Sequence, residues 1–253
     1  MSNSNSSNKL KIFIIVCGVV FLTGLAATIT GMALHGWKDF DKLPGDWNIH
    51  QGSGDTNTYS LSGSEAKFVA MDLNVSLCNV EYKQGDEYRI DLTYDKEMNR
   101  PDISITDGIL EVKTGNEHFI SEGGQGFVMT LEITVPKGTK LDSADLNLDA
   151  CQADFSGLDA KNLDVSFDLG ELTAEMLSFD KAKFNFNACD ANIQMIGEAA
   201  DYYCHLTNDL GSMTVDGEDI EIDRTDQNAA PYYYELDADL SDVTITYQWP
   251  SGN

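Results

Sequence analysis

The sequence predicts an all-β repeat domain, a β-solenoid or β-roll of about 19-residue coils, carried behind one N-terminal transmembrane helix. Three observations predict it. Residues 12–34 form an uncharged apolar run, four segments between Ala144 and Val215 alternate apolar and polar residues at a spacing of 19, and the acidic excess lies after Pro44.

In chain order, residues 1–8 are rich in Ser and Asn and read as a disordered cytoplasmic tail. Residues 9–36 read as the membrane helix. Lys9 and Lys11 precede the charge-free stretch Ile12 to Leu34, and Trp37 stands at its far boundary. As a helix that stretch is about 35 Å long, enough to cross a hydrocarbon core of roughly 30 Å. The rival is a cleaved signal peptide, for which Gly31-Met32-Ala33 supplies a small-x-small site. Two lysines on each side (Lys9 and Lys11 against Lys38 and Lys42) leave the positive-inside rule undecided. The short tail and the large acidic domain point to a single-pass protein of the bacterial cell membrane with its C-terminal domain extracytoplasmic. Residues 37–65 read as a stalk, rich in Gly, Ser, Asn and Thr, and residues 66–248 as the β domain.

The repeat is read from "ADLNLDACQADF" at Ala144, "LDVSFDLGELTA" at Leu163, "AKFNFNACDANI" at Ala182 and "DYYCHLTNDLGS" at Asp201. Stacked, they align Leu146, Val165, Phe184 and Tyr203 in one column and Leu148, Phe167, Phe186 and His205 in the next. Alternation of this kind is the period of a strand with one buried face. Its parity shifts once, at Cys151, Gly170, Cys189 and Asn208, where a small residue lets the chain bend into a second short strand. One unit cannot bury its apolar face alone, whereas stacked copies can. An antiparallel meander is the rival, but equal spacing favours coils.

"MDLNVSLCNVEY" at Met71 fits the same pattern, and "YYYELDADLSDVTITY" at Tyr232 reads as a closing unit after an insertion containing Pro231. Between Gly85 and Pro136 the chain reads as ordinary strands. Residues 88–94 and 108–114 alternate, Asp107-Gly108 is a hairpin turn, and 128–138 is a strand stopped by Pro136 and Gly138.

The strand ending in "TVPKG" (134–138), the alternating units with a small residue at the bend and the N-terminal span together resemble the bacterial putative-adhesin β-strand-repeat family, a domain of unknown function. The resemblance covers most of 66–248. It implies a right-handed β-solenoid-like fold and a cell-surface or envelope setting, and it transfers no catalytic residue. Family members usually carry Gly at the bend; here only Gly170 does.

The net charge is −26, and after residue 43 the chain holds 40 acidic and 12 basic residues. Such a domain repels phosphate backbones, which excludes nucleic acid as a partner. A surface glycan or protein remains, besides the membrane itself. Asp145 with Asp164, and Asp149 with Asp168, form acidic ladders, the only calcium candidates; the bland reading is a solvated acidic face. No other cofactor is indicated. Cys78, Cys151, Cys189 and Cys204 follow the span. Cys151 and Cys189 share a column two coils apart, roughly 9.6 Å, too far for a disulfide. Cys204 falls in the outward column of Asn147, Ser166 and Asn185. Packed thiols are therefore expected, with Cys78–Cys151 left open if the Met71 unit packs directly on the Ala144 coil. His205 is expected as a structural histidine in an apolar column.

GxSxG, P-loop, HExxH and GxGxxG motifs are absent from the sequence. The expected function is therefore non-enzymatic: a membrane-anchored surface or envelope protein that binds or scaffolds. One alternative is an envelope-stress or regulatory accessory acting with a membrane partner. The other is a polysaccharide-acting enzyme, which would need carboxylates and a basic partner on one coil face.

Overall fold

The computed structural model describes residues 49–51, 55–96, 99–114, 118–120, 129–220, 223–226 and 230–250. The tail, the membrane helix expected at 9–36 and the stalk up to residue 48 lie outside the described residues. Among the described residues no helix is long and apolar enough to cross a membrane.

The strands, in chain order, are β1 (Ile49–Gln51), β2 (Thr56–Ser62), β3 (Ala70–Ser76), β4 (Cys78–Gly85), β5 (Arg89–Asp95), β6 (Asp102–Thr106), β7 (Ile109–Lys113), β8 (His118–Ile120), β9 (Met129–Pro136), β10 (Leu141–Asp154), β11 (Asp159–Ile196), β12 (Tyr202–Asn208), β13 (Ser212–Val215), β14 (Glu218–Asp219), β15 (Asp223–Asp226), β16 (Tyr232–Asp239) and β17 (Asp242–Gln248). β1 and β8 pair in parallel as a separate two-stranded sheet; the other fifteen form one sheet.

The central coils stack in parallel. β10 lies on β11 with Leu146 opposite Val165 and Leu148 opposite Phe167, an offset of 19 residues. On its other side β10 pairs with β3 and β4, with Leu146 opposite Leu73 and Ala153 opposite Val80. The Met71 unit is thus the coil directly below the Ala144 unit, although residues 86–140 of the chain lie between β4 and β10. Each coil contributes one strand to a first stack and one to a second, and the inward residues of both meet in a single core. Leu73, Leu146, Val165 and Phe184 are each at most 3% exposed. Phe179 and Phe184 add edge-to-face contacts at 6.1 Å.

The bend has a consistent backbone. Leu77, Ala150, Leu169, Ala188 and Leu240 adopt positive φ of 50–71°. The residue after each is Cys78, Cys151, Gly170, Cys189 or Ser241, so the expected bend positions Cys151, Gly170 and Cys189 stand where the chain turns. Asn208 does not. It ends β12 facing inward, 6% exposed, opposite Ala238, and the bend of that coil falls at Leu210-Gly211. The cause is local: Gly197 and a one-turn 3-10 helix at Ala199–Asp201 lengthen the connection, shifting the unit by three residues. Leu206, not Tyr203, occupies the core column. For the same reason Cys204 faces the core opposite Tyr234, and His205 faces outward opposite Glu235, the reverse of both expectations.

The order of the last two coils also differs. β16 and β17 pair with β11 on one side, Leu236 opposite Phe184 and Ile245 opposite Ile193, and with β12 and β13 on the other. The Tyr232 unit therefore lies between the third 19-residue unit and the Asp201 unit, and the Asp201 unit is terminal. Antiparallel strands close the stack at both ends. β6 lies on β7, and β5 with β2 lies on β9; at the other end β15 lies on β12 and β14 on β13. The parallel edges are thereby covered, and the outer edges of the sheet are the short antiparallel strands β2, β6, β14 and β15. Residues 56–62, within the expected stalk, are such a cover: β2 hydrogen-bonds along β5, with Tyr59 and Leu61 packed on the core. Their Thr/Asn/Ser-rich sequence carries only these two apolar residues, too little alternation to read as a strand. Asp107 and Gly108, both at positive φ, form the two-residue hairpin turn between β6 and β7.

Candidate functional site

The outward face of the first stack is a grid, since each strand presents every second residue. Its rows run along the stack. One row holds Asp72, Asp145 and Asp164 and, further on, Lys183, Glu235 and His205. The neighbouring row ends in Lys181, Tyr233 and Tyr203. Between the two rows a shallow open depression of about 370 Å³ crosses four coils, lined by Asn162, Asp164, Lys181, Lys183, Tyr233 and Glu235 among others.

Tyr203 and Tyr233 lie opposite each other on β12 and β16, and their rings stack at 5.1 Å and 26°. The Tyr233 hydroxyl donates to the Glu235 carboxylate. Desolvation, that hydrogen bond and the Glu235 charge push the phenol up to about 12. The ring is thus held from its face and from its hydroxyl, and it is only half-buried. Lys181 and Lys183 are exposed and form no ion pair with a described residue, whereas Lys83, Lys113, Lys140 and Lys161 each sit against a carboxylate. Two ammonium groups outside any close ion pair with a described residue and a fixed aromatic ring thus stand together in a strongly acidic domain, with Asp164 and Glu235 on the coils to either side of Lys183.

Asp145 faces Asp164, and Asp149 faces Asp168, in direct register. Partial desolvation, then the Asp164 and Asp72 charges, raise the Asp145 carboxyl above the ordinary range. The carboxylates stand in a line, however. The two outer members of a three-residue row are about 9.6 Å apart, so a third cannot reach an ion bound between the first two at about 2.4 Å. Among the described residues no three His, Cys, Asp or Glu side chains could hold one ion. The second stack has its own open groove of about 300 Å³ over Glu81, Gln152, Asp154 and Glu171, with neither an aromatic ring nor a cation in its lining.

The acidic rows were legible from sequence. The tyrosine pair was not, because a 19-residue frame puts Tyr203 in the core and chain order puts the Tyr232 unit last, as a closing unit, and not beside the Ala182 unit. The signal that could have found it is the doublet Tyr202-Tyr203 against Tyr232-Tyr233-Tyr234.

A family model described as Toastrack DUF4097 matches residues 68–226. No curated protein matches the chain. Among solved structures, a putative cell adhesion protein from Clostridium sporogenes aligns with a TM-score of 0.53 at 13% identity, covering 78% of this chain and 99% of that one. A putative adhesin from Bacteroides fragilis aligns with a TM-score of 0.41, also at 13% identity, covering 78% and 99%. At such identity the first likeness speaks for the fold alone.

Proposed function

The chain belongs to the Toastrack DUF4097 family, and from that premise we propose that it is a non-enzymatic protein of the bacterial cell surface or envelope. One N-terminal span would hold it to the membrane, and the outward face of the first stack would bind a surface glycan or protein. The observation that carries the reading is the Tyr203–Tyr233 stack beside the exposed Lys181 and Lys183, along an open depression rather than in an enclosed cleft. An ordered aromatic face flanked by hydrogen-bonding groups offers contact area at low entropic cost. The cell-adhesion description of the Clostridium sporogenes protein agrees with this reading.

Two measurements test it. Protease added to intact cells should remove the β domain, and protection of the domain would overturn the surface assignment. Detergent-solubilised full-length protein should be retained on a glycan array or on whole cells, and Tyr203→Ala with Tyr233→Ala should abolish retention while the melting curve stays cooperative. Undiminished retention would remove this face from the function.

A further inference from the structure

We propose that Cys78 and Cys151 form a disulfide that staples the first coil to the second when the chain folds in an oxidising environment. The pair is defined by register. β10 faces β3 with Asp149 opposite Ser76 and faces β4 with Gln152 opposite Asn79, the same 73-residue offset on both sides of the bend. Cys151 therefore stands opposite Cys78. Neighbouring strands are about 4.8 Å apart, inside the Cα separation of roughly 4.4–6.8 Å that a disulfide spans.

The other cysteines of the β domain have no such neighbour. Cys189 is two coils from Cys151, with Gly170 between them, and its thiol lies 3.6 Å from the Ser241 hydroxyl. Cys204 is in the first stack, opposite Tyr234. One pairing alone is geometrically open.

In the structure both groups are thiols. Cys151 Sγ donates to the Asp149 carbonyl at 3.3 Å, and Cys78 Sγ donates to the Asn79 carbonyl at 3.4 Å. They are 1% and 0% exposed. Burial and the neighbouring thiol push Cys78 up, and burial pushes Cys151 up, so neither is a ready nucleophile once the coils have closed. The bond must form while the coils are assembling. The oxidant is a small or protein disulfide. One cysteine thiolate attacks it and releases a thiolate, giving a mixed disulfide; the second cysteine thiolate then attacks the first cysteine's sulfur and expels the other half. Two protons and two electrons leave the pair, and the oxidant departs as two thiols. That the chain meets such an oxidant in the cell rests on the extracytoplasmic reading above; the pairing itself does not.

The test uses purified full-length protein, so it is independent of where the chain resides. The protein is unfolded with reductant, refolded in a mixture of reduced and oxidised glutathione, alkylated, and digested without reduction. A Cys78–Cys151 linked peptide is expected, with three of the five cysteines titrating as thiols. The oxidised form should melt roughly 5–15 °C above its reduced form, and Cys78→Ala with Cys151→Ala should melt identically with and without reductant. Five free thiols after refolding, or a link through any other cysteine, would overturn the proposal. Rapid oxidation of protein already folded in reductant would overturn the requirement for assembly.

Discussion

Gly170 lies directly on the Cys151 carbonyl: a Cβ built at Gly170 would fall 1.9 Å from that oxygen. Its φ of 134° is also one that side chains rarely adopt. Gly211 repeats the relationship in the terminal coil, where a Cβ would fall 2.0 Å from the Ser241 carbonyl oxygen. Close approach of successive coils at the bend thus requires glycine where φ is this extreme, while Cys or Ser suffices in the coils between. Gly170→Ala should destabilise the domain by about 2–4 kcal/mol, since backbone rather than a flexible side chain must move. Urea unfolding of the two proteins measures it, and a loss below about 0.5 kcal/mol would show that the coils part easily.

Leu169, the residue before it, holds φ 71° and is 56% exposed. Asn adopts the left-handed region more readily than a γ-branched residue, and little burial is lost on replacement. Leu169→Asn should therefore raise stability by about 0.5–1 kcal/mol, read as a higher urea midpoint at unchanged slope.

Phe167 is wholly buried, between Leu148 on β10 and the next coil of β11. Phe167→Ala should cost about 3–5 kcal/mol. Denaturant titration should show one cooperative transition at a lower midpoint; a separate early transition would mean that the coils unfold independently.

Asp145 has its folded-state pKa raised by partial desolvation and by the Asp164 and Asp72 charges. The folded state therefore binds its proton more tightly than the unfolded chain. The associated stability is fully present below the unfolded carboxylate pKa and is lost as pH rises through the folded value. Asp145→Asn removes that loss. It should stabilise the domain by a few tenths of a kcal/mol at pH 7 and by nothing once the pH falls below the ordinary carboxylate range. Melting temperatures of the two proteins between pH 3 and pH 7 should converge at the acid end.

The amino-acid sequence by itself determined the coil. Alternation in 144–154, 163–173 and 182–192, broken once at each bend, leaves a strand only one face to bury, and two equal intervals of 19 place Leu146 on Val165 and Asp145 on Asp164 without reference to anything distant. Tertiary structure decided which coil lies on which. Spacing reports order along the chain, whereas the stacking order depends on which exposed edge a later segment meets. The Met71 unit joins the Ala144 unit across a long insertion because both offer the same alternating edge. The Tyr232 unit takes the place beside Phe184 that chain order would assign to the Asp201 unit. There Tyr234 packs against Phe179 and Phe184, and its hydroxyl meets that of Tyr247 at 2.8 Å. That exchange brings Tyr233 beside Lys181 and Tyr203 onto Tyr233. The candidate binding face is therefore a product of packing between segments far apart in the chain, and no local periodicity encodes it.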